Sequence, residues 1–187
     1  MSESPFFRLD DTDAMVFVSP SWLETAREAG ASGLTEAAVL GRPFSDFVGD
    51  PEAVPLFQLV FRRVRRSGQT VRVPFRRDSP NHRHHMEMEV LALEGGGLEC
   101  RTHTLLVEER RAVDARSGGS KELLTCCAWC KKVQVPEGTW VEVETAAHRL
   151  ELLLGEALQV THGICPCCRT AFWGELGFSQ SPPAKGR

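Results

Sequence analysis

Apolar positions in the first half of the chain change period once. Phe57, Val60, Phe61 and Val64 recur three and four apart, which predicts a helix over Glu52–Arg66 with one apolar stripe. Ser67-Gly68 ends it. From Val71 the period drops to two. Val71, Val73 and Phe75 share one face of a strand, as do Met86, Met88 and Val90, with Glu87 and Glu89 turned outward. "EGGG" (94–97) makes a turn into a last strand, "LECRTHTLLVEER". Upstream, "MVFVS" (15–19) reads as a short strand followed by a helix in "SPSWLETAREAG". That helix is capped either by Ser19 with Pro20 at its first position or by Ser21 with Glu24 three residues on, and it ends at Gly30. "LTEAAVLGRPFSDFV" supplies one or two short helices broken at Gly41. The order is strand, helices, longer helix, then three strands joined by turns. It predicts an α+β fold, an antiparallel sheet with helices on one face.

A second part follows "DARSGGSKE" (114–122), where small and polar residues cluster. "KKVQVPEGTWVEV" (131–143) alternates Val133 and Val135, turns at Pro-Glu-Gly, and resumes with Trp140, Val141 and Val143 as a hairpin. "ETAAHRLELLLGEAL" (144–158) reads as a helix with Ala147, Leu150 and Leu154 on one face, and "RTAFWGEL" as another. The expected boundaries are 5–112 for the first domain, 113–122 for the linker, 123–178 for the second module and 179–187 for a disordered tail.

Charge and composition narrow the function classes. The chain has 187 residues, 42% hydrophobic and 25% charged, with a net charge of -3, so it is globular and has no global basic field. No apolar run approaches the roughly 18 residues of a membrane helix. The N-terminal "MSESPFFRLDD" lacks the pattern of a secretory signal. A cytoplasmic, reducing setting is therefore expected, in which paired cysteines serve metal or redox chemistry rather than structural disulfides. Eight arginines and three histidines lie between residues 61 and 85. They suit a phosphate or an acidic partner, but a solvated helix face and outward strand positions are favoured, because the aromatic residues there sit on the apolar stripe. His82, His84 and His85 are candidates for metal binding, but a place in a hairpin turn is favoured.

The first part resembles a PAS sensory domain over about residues 5 to 112. "FVSPSWLETA" occupies the place of the second strand and following helix, "VLGRPFSDFV" the leucine-glycine step and short helices, and "FFRLDD" the first strand. The resemblance implies a sensor that dimerises through its outer sheet face and flanking helices. The asparagine-cysteine-arginine motif of flavin-binding members is missing around Gly41, and residues 52 to 66 lack the histidine common in haem-binding ones. Neither haem nor flavin is expected, and what the domain senses is open.

Six of the seven cysteines fall in "TCCAWC" and "CPCC". Cys127-x-x-Cys130, then 34 residues, then Cys165-x-x-Cys168, is the spacing of a four-cysteine tetrahedral zinc site. Each C-x-x-C turn aims two sulfurs at one point, and four thiolates with no open position make a structural site. A segment of fewer than about 70 residues often needs such a staple, and structural zinc supplies roughly 10–16 kcal/mol in small finger peptides. Cys126 and Cys167 are read as spectators able to replace a ligand. His162 is a further alternate, as ligand or as donor to a ligand. Trp129 is expected to pack on the turn, and Cys100 to be a core or strand thiol.

Knuckle, hairpin and a second knuckle at a helix start resemble a treble-clef zinc module with an added central helix. As a whole, Cys127, Trp129, Cys130, Lys131, Trp140, His162, Gly163, Cys165 and Cys168 resemble a cysteine-rich segment found beside sensory domains in bacterial signalling proteins. The expectation is a non-enzymatic sensor or adaptor with structural Zn2+, acting through a homodimer or a signalling partner rather than a membrane. Two rivals stay open. One is a thiol redox switch using the same pairs, with Lys131 and Lys132 lowering a thiol pKa. The other, less favoured, is a nucleic-acid-binding regulator using Arg62, Arg63, Arg65 and Arg66. No nucleophile-base constellation suggests a catalytic site.

Overall fold

The computed structural model describes residues 4–28, 30–79, 81–110, 124–149 and 160–175. The chain forms two compact units, Met1–Phe75 with His85–Leu106, and Arg76–His84 with Val107–Arg187. The expected linker, the expected tail and the 150–158 half of the second-part helix lie outside the described residues.

In the first unit, β1 (Phe6–Leu9) pairs antiparallel with both β2 (Met15–Val18) and β5 (Leu98–Glu109). With β3 (Val71–Asp78) and β4 (His82–Ala92), they form a five-stranded sheet in the order β2-β1-β5-β4-β3. Between β2 and β3 run α1 (Pro20–Glu28), α2 (Glu36–Val39), 3-10 turns at Phe44–Phe47 and Pro51–Ala53, and α3 (Val54–Ser67).

Local chemistry accounts for the helix ends. The Trp22 N–H donates to the Ser19 hydroxyl, with Pro20 opening the helix, so Ser19 rather than Ser21 is the cap. The Phe6 N–H donates to the same hydroxyl, which ties the helix start to β1. Gly41, at φ +80, turns the chain left-handed so that its N–H donates to the Met15 carbonyl. Gly68, at φ 66, closes α3 by donating to Val64.

The α3 stripe is buried as its spacing predicts, with Val60, Phe61 and Val64 at 0% exposure. Phe44 is the centre of an aromatic cluster. Its ring lies 5.4 Å from Phe7 on β1, 5.2 Å from Phe57 and 5.3 Å from Phe61. Burying such rings supplies much of a domain's hydrophobic stabilisation and fixes the geometry with which helix meets sheet.

Two sequence expectations fail locally. Alternation on β3 stops at Phe75, which is half-buried, and Arg76 is buried instead. His82, His84 and His85 lie on β4 rather than in the turn, which is closed ahead of them where the Ser79 N–H donates to the His82 carbonyl.

The second unit holds a four-stranded sheet in the order β8-β7-β6-β9. Its strands are β6 (Leu124–Cys127), β7 (Val133–Gln134), β8 (Trp140–Val141) and β9 (Val160–Gly163). The expected hairpin is β7–β8, in register at Val133↔Val141. β9, which alternation does not announce, pairs parallel with β6 from Leu124↔Val160 to Cys127↔Gly163. The helix α4 (Val143–Arg149) lays Ala146 on a small core of Leu124, Val133 and Val135, with Val141 and Val143 packed against it. The last described helix is α5 (Pro166–Glu175).

Candidate metal centre

The first cysteine pair sits where β6 ends. The Cys127 N–H donates to the Lys132 carbonyl, the Lys131 N–H donates back to Cys127, and Ala128 donates to Gly163 on β9. These bonds fold residues 128–130 into a turn with Cys127 at one end and Cys130 at the other. Closing it places Lys131 in the left-handed region at φ 62.

The second pair sits at the start of α5. Cys165 precedes the helix, Pro166 is its first residue, and the Cys168 N–H donates to the Cys165 sulfur at 3.3 Å. Cys165 therefore caps the helix as Ser or Asp would, which explains why α5 starts at Pro166 rather than at Arg169. A thiolate at that end also meets the positive end of the helix dipole.

The parallel β6–β9 pairing brings the two turns together. The sulfurs of Cys127, Cys130, Cys165 and Cys168 all lie within 4.8 Å of one another, and Cys127 and Cys165 are buried. Sulfurs at the vertices of a tetrahedron with metal–sulfur bonds of about 2.3 Å lie about 3.8 Å apart. Cys130 Sγ and Cys165 Sγ are 3.7 Å apart, far longer than a disulfide bond of about 2.05 Å. Among the described residues no cysteine is in a disulfide.

Backbone donors converge on the same sulfurs. Cys127 Sγ accepts N–H bonds from Cys130 at 3.5 Å and from Cys165 at 3.4 Å. The Cys130 and Cys168 thiols donate to it as well, and these donors outweigh burial and hold the Cys127 thiol far below the ordinary cysteine range. The same contacts push the Cys130 thiol up to about 12 and raise Cys168 further. An all-sulfur set of four donors fits Zn2+ or iron and leaves no position for substrate.

The other candidates stand apart from the cluster. His162 is exposed on β9, in register with Cys126. Cys126 directs its sulfur at the Lys131 and Cys127 carbonyls, at 3.6 Å and 3.8 Å. Cys167 is exposed on α5, between Cys165 and Cys168 in sequence. Cys100 is fully buried on β5, where burial raises its thiol well above the ordinary range. Trp129 is buried inside the first turn and stacks edge-on against Phe172 of α5, with centroids 5.6 Å apart.

Four arginines of the arginine-rich stretch are held by internal contacts. Arg65 reaches Asp13, the Asp10 carbonyl and the Gly96 carbonyl, and Arg72 pairs with Glu89. Within the second unit, Arg76 pairs with Asp78 and Glu142, and Arg83 with Glu144. The sequence gives no local sign of this last group. Arg76 and Glu142 are 66 positions apart, and the carboxylates sit in the hairpin–helix segment rather than near the arginines.

No protein-family model and no curated protein matches the chain. Among solved structures, a domain of an HTR-like protein from Haloarcula marismortui is similar over 56% of this chain and 100% of its own, at 14% identity and a TM-score of 0.44. The PAS domain of BvgS from Bordetella pertussis is similar over 56% of this chain and 74% of its own, at 20% identity and a TM-score of 0.33. Among the described residues no helix is long and apolar enough to cross a membrane.

Proposed function

We propose that the chain is a non-enzymatic signalling protein in which a PAS-like sensor domain is joined to a structural four-cysteine zinc module of treble-clef-like build. The observation that carries the metal half is the convergence of Cys127, Cys130, Cys165 and Cys168 to within 4.8 Å, each turn backed by N–H donors. For the sensor half, support comes from the strand order β2-β1-β5-β4-β3 with the helices threaded between β2 and β3. Four thiolates around one cation supply cohesion and no open coordination position, so the metal's role is to hold the second unit together. Output passes through a partner or a second copy, and the first unit biases the metal module through residues 108–124.

Elemental mass spectrometry, with a free-thiol count, on protein purified without a histidine tag or chelator tests the metal half. One zinc per chain is expected, lost on Cys→Ser substitution at any of the four positions but retained on Cys167→Ser. Metal-free protein whose thiols oxidise and reduce reversibly would replace this reading with a redox switch. The coupling idea fails if deleting residues 114–187 leaves association with partner or second copy unchanged.

A further inference from the structure

The turn that carries Cys127 and Cys130 is held at its middle by a residue from β3. The Arg76 N–H donates to the Trp129 carbonyl at 3.1 Å, and Trp129 lies between the two cysteines. Both residues belong to the second unit. The Arg76 side chain is 5% exposed: Nη1 donates to Glu142 Oε2 at 2.7 Å and Nη2 to Asp78 Oδ2 at 2.8 Å, while its buried Nε has no hydrogen-bond partner among the described residues. Glu142 in turn anchors the start of α4, where its carbonyl accepts the Ala146 N–H, and it lies 4.0 Å from Lys132 Nζ, two residues beyond Cys130.

We infer that Arg76 is a positioning residue for the four-cysteine centre. It sets the centre's metal affinity without touching a sulfur. The inference rests on the metal reading above. A buried guanidinium cannot shed its charge, so its position is dictated by where two carboxylates can meet it. Clamped between Asp78 and Glu142, it fixes the strand whose N–H aims at Trp129, and thereby the turn that spaces Cys127 from Cys130. Groups beyond the ligands act on metal sites in this way, and losing one typically weakens binding ten- to a hundredfold.

The test is Co2+ titration of the full chain in competition with a chelator, read by visible d–d bands that report four-thiolate tetrahedral geometry. Arg76→Ala and Glu142→Gln are each expected to weaken Co2+ binding about ten- to a hundredfold, and the double variant to be no worse than Arg76→Ala alone, because both act through one clamp. Arg76→Lys, which keeps the charge but reaches one carboxylate at a time, recovers part of the loss. Arg72→Ala, on the same strand but paired with Glu89, leaves affinity unchanged. If Arg76→Ala does not fold, Glu142→Gln decides. Wild-type affinity in Glu142→Gln, or equal losses in Arg72→Ala, would overturn the inference. Failure of the wild-type chain to bind Co2+ would instead overturn the metal reading itself.

Discussion

Lys131 holds a left-handed backbone, at φ 62, immediately after the first cysteine pair, and its ammonium donates to the Ala128 carbonyl at 2.7 Å. A side chain in that region costs about 1–2 kcal/mol that glycine does not incur. Lys131→Ala should therefore be less stable than Lys131→Gly by about 1–2 kcal/mol in thermal unfolding followed by tryptophan fluorescence. Both variants lose the ammonium, so the difference isolates the backbone. Equal midpoints would mean that the turn relaxes. Features of this kind are legible in sequence where their cause is local. Ser19-Pro20 as a helix start, Gly68 as a stop and the two C-x-x-C turns all depend on neighbours within a few positions. Arg76 is not legible, because its burial depends on Glu142, 66 positions away.

At the scale of elements, periodicity found α3 and the strands, and it failed where another element decides. The Phe57–Val64 stripe meets the Phe44 ring as expected, and Phe61→Ala should cost about 3–5 kcal/mol, measured as a lowered denaturant midpoint. A cost below about 1 kcal/mol would show that this core is not as close-packed as described. β9 was invisible because four residues carry too little alternation to declare a strand and its partner, β6, is remote in sequence. At the start of α4, burial raises the Glu144 carboxyl, but its own N–H, the Arg83 contact and the charges of Arg110 and Arg83 more than offset this and leave it below the ordinary range. A carboxylate depressed on folding stabilises above its unfolded pKa, and that contribution disappears as pH falls through the folded pKa. The stability gap between wild type and Glu144→Gln should therefore be constant from neutral pH down to the ordinary glutamate range and close below it, in urea titrations across pH. A gap that widens on acidification would contradict the ion-pair assignment.

For the whole molecule, the composition shift near residue 114 predicts two parts divided there, whereas the two compact units divide at Phe75/Arg76, His84/His85 and Leu106/Val107. Residues Arg76–His84 belong to the second of them, which no local pattern suggested. Among its described residues the second unit has a small core around Leu124, Val133, Val135 and Ala146, and on the proposed metal reading its cohesion rests on the cysteine centre. Stripping the metal with a strong chelator should expose Trp129, seen as a red-shifted, quenchable emission, while the first unit keeps its far-ultraviolet signature. X-ray absorption at the zinc edge, on the chain as isolated, reads the four-cysteine centre itself. A single shell of four sulfurs at about 2.3 Å with no nitrogen or oxygen neighbour is expected. A mixed shell containing imidazole, or no stoichiometric metal at all, would contradict it.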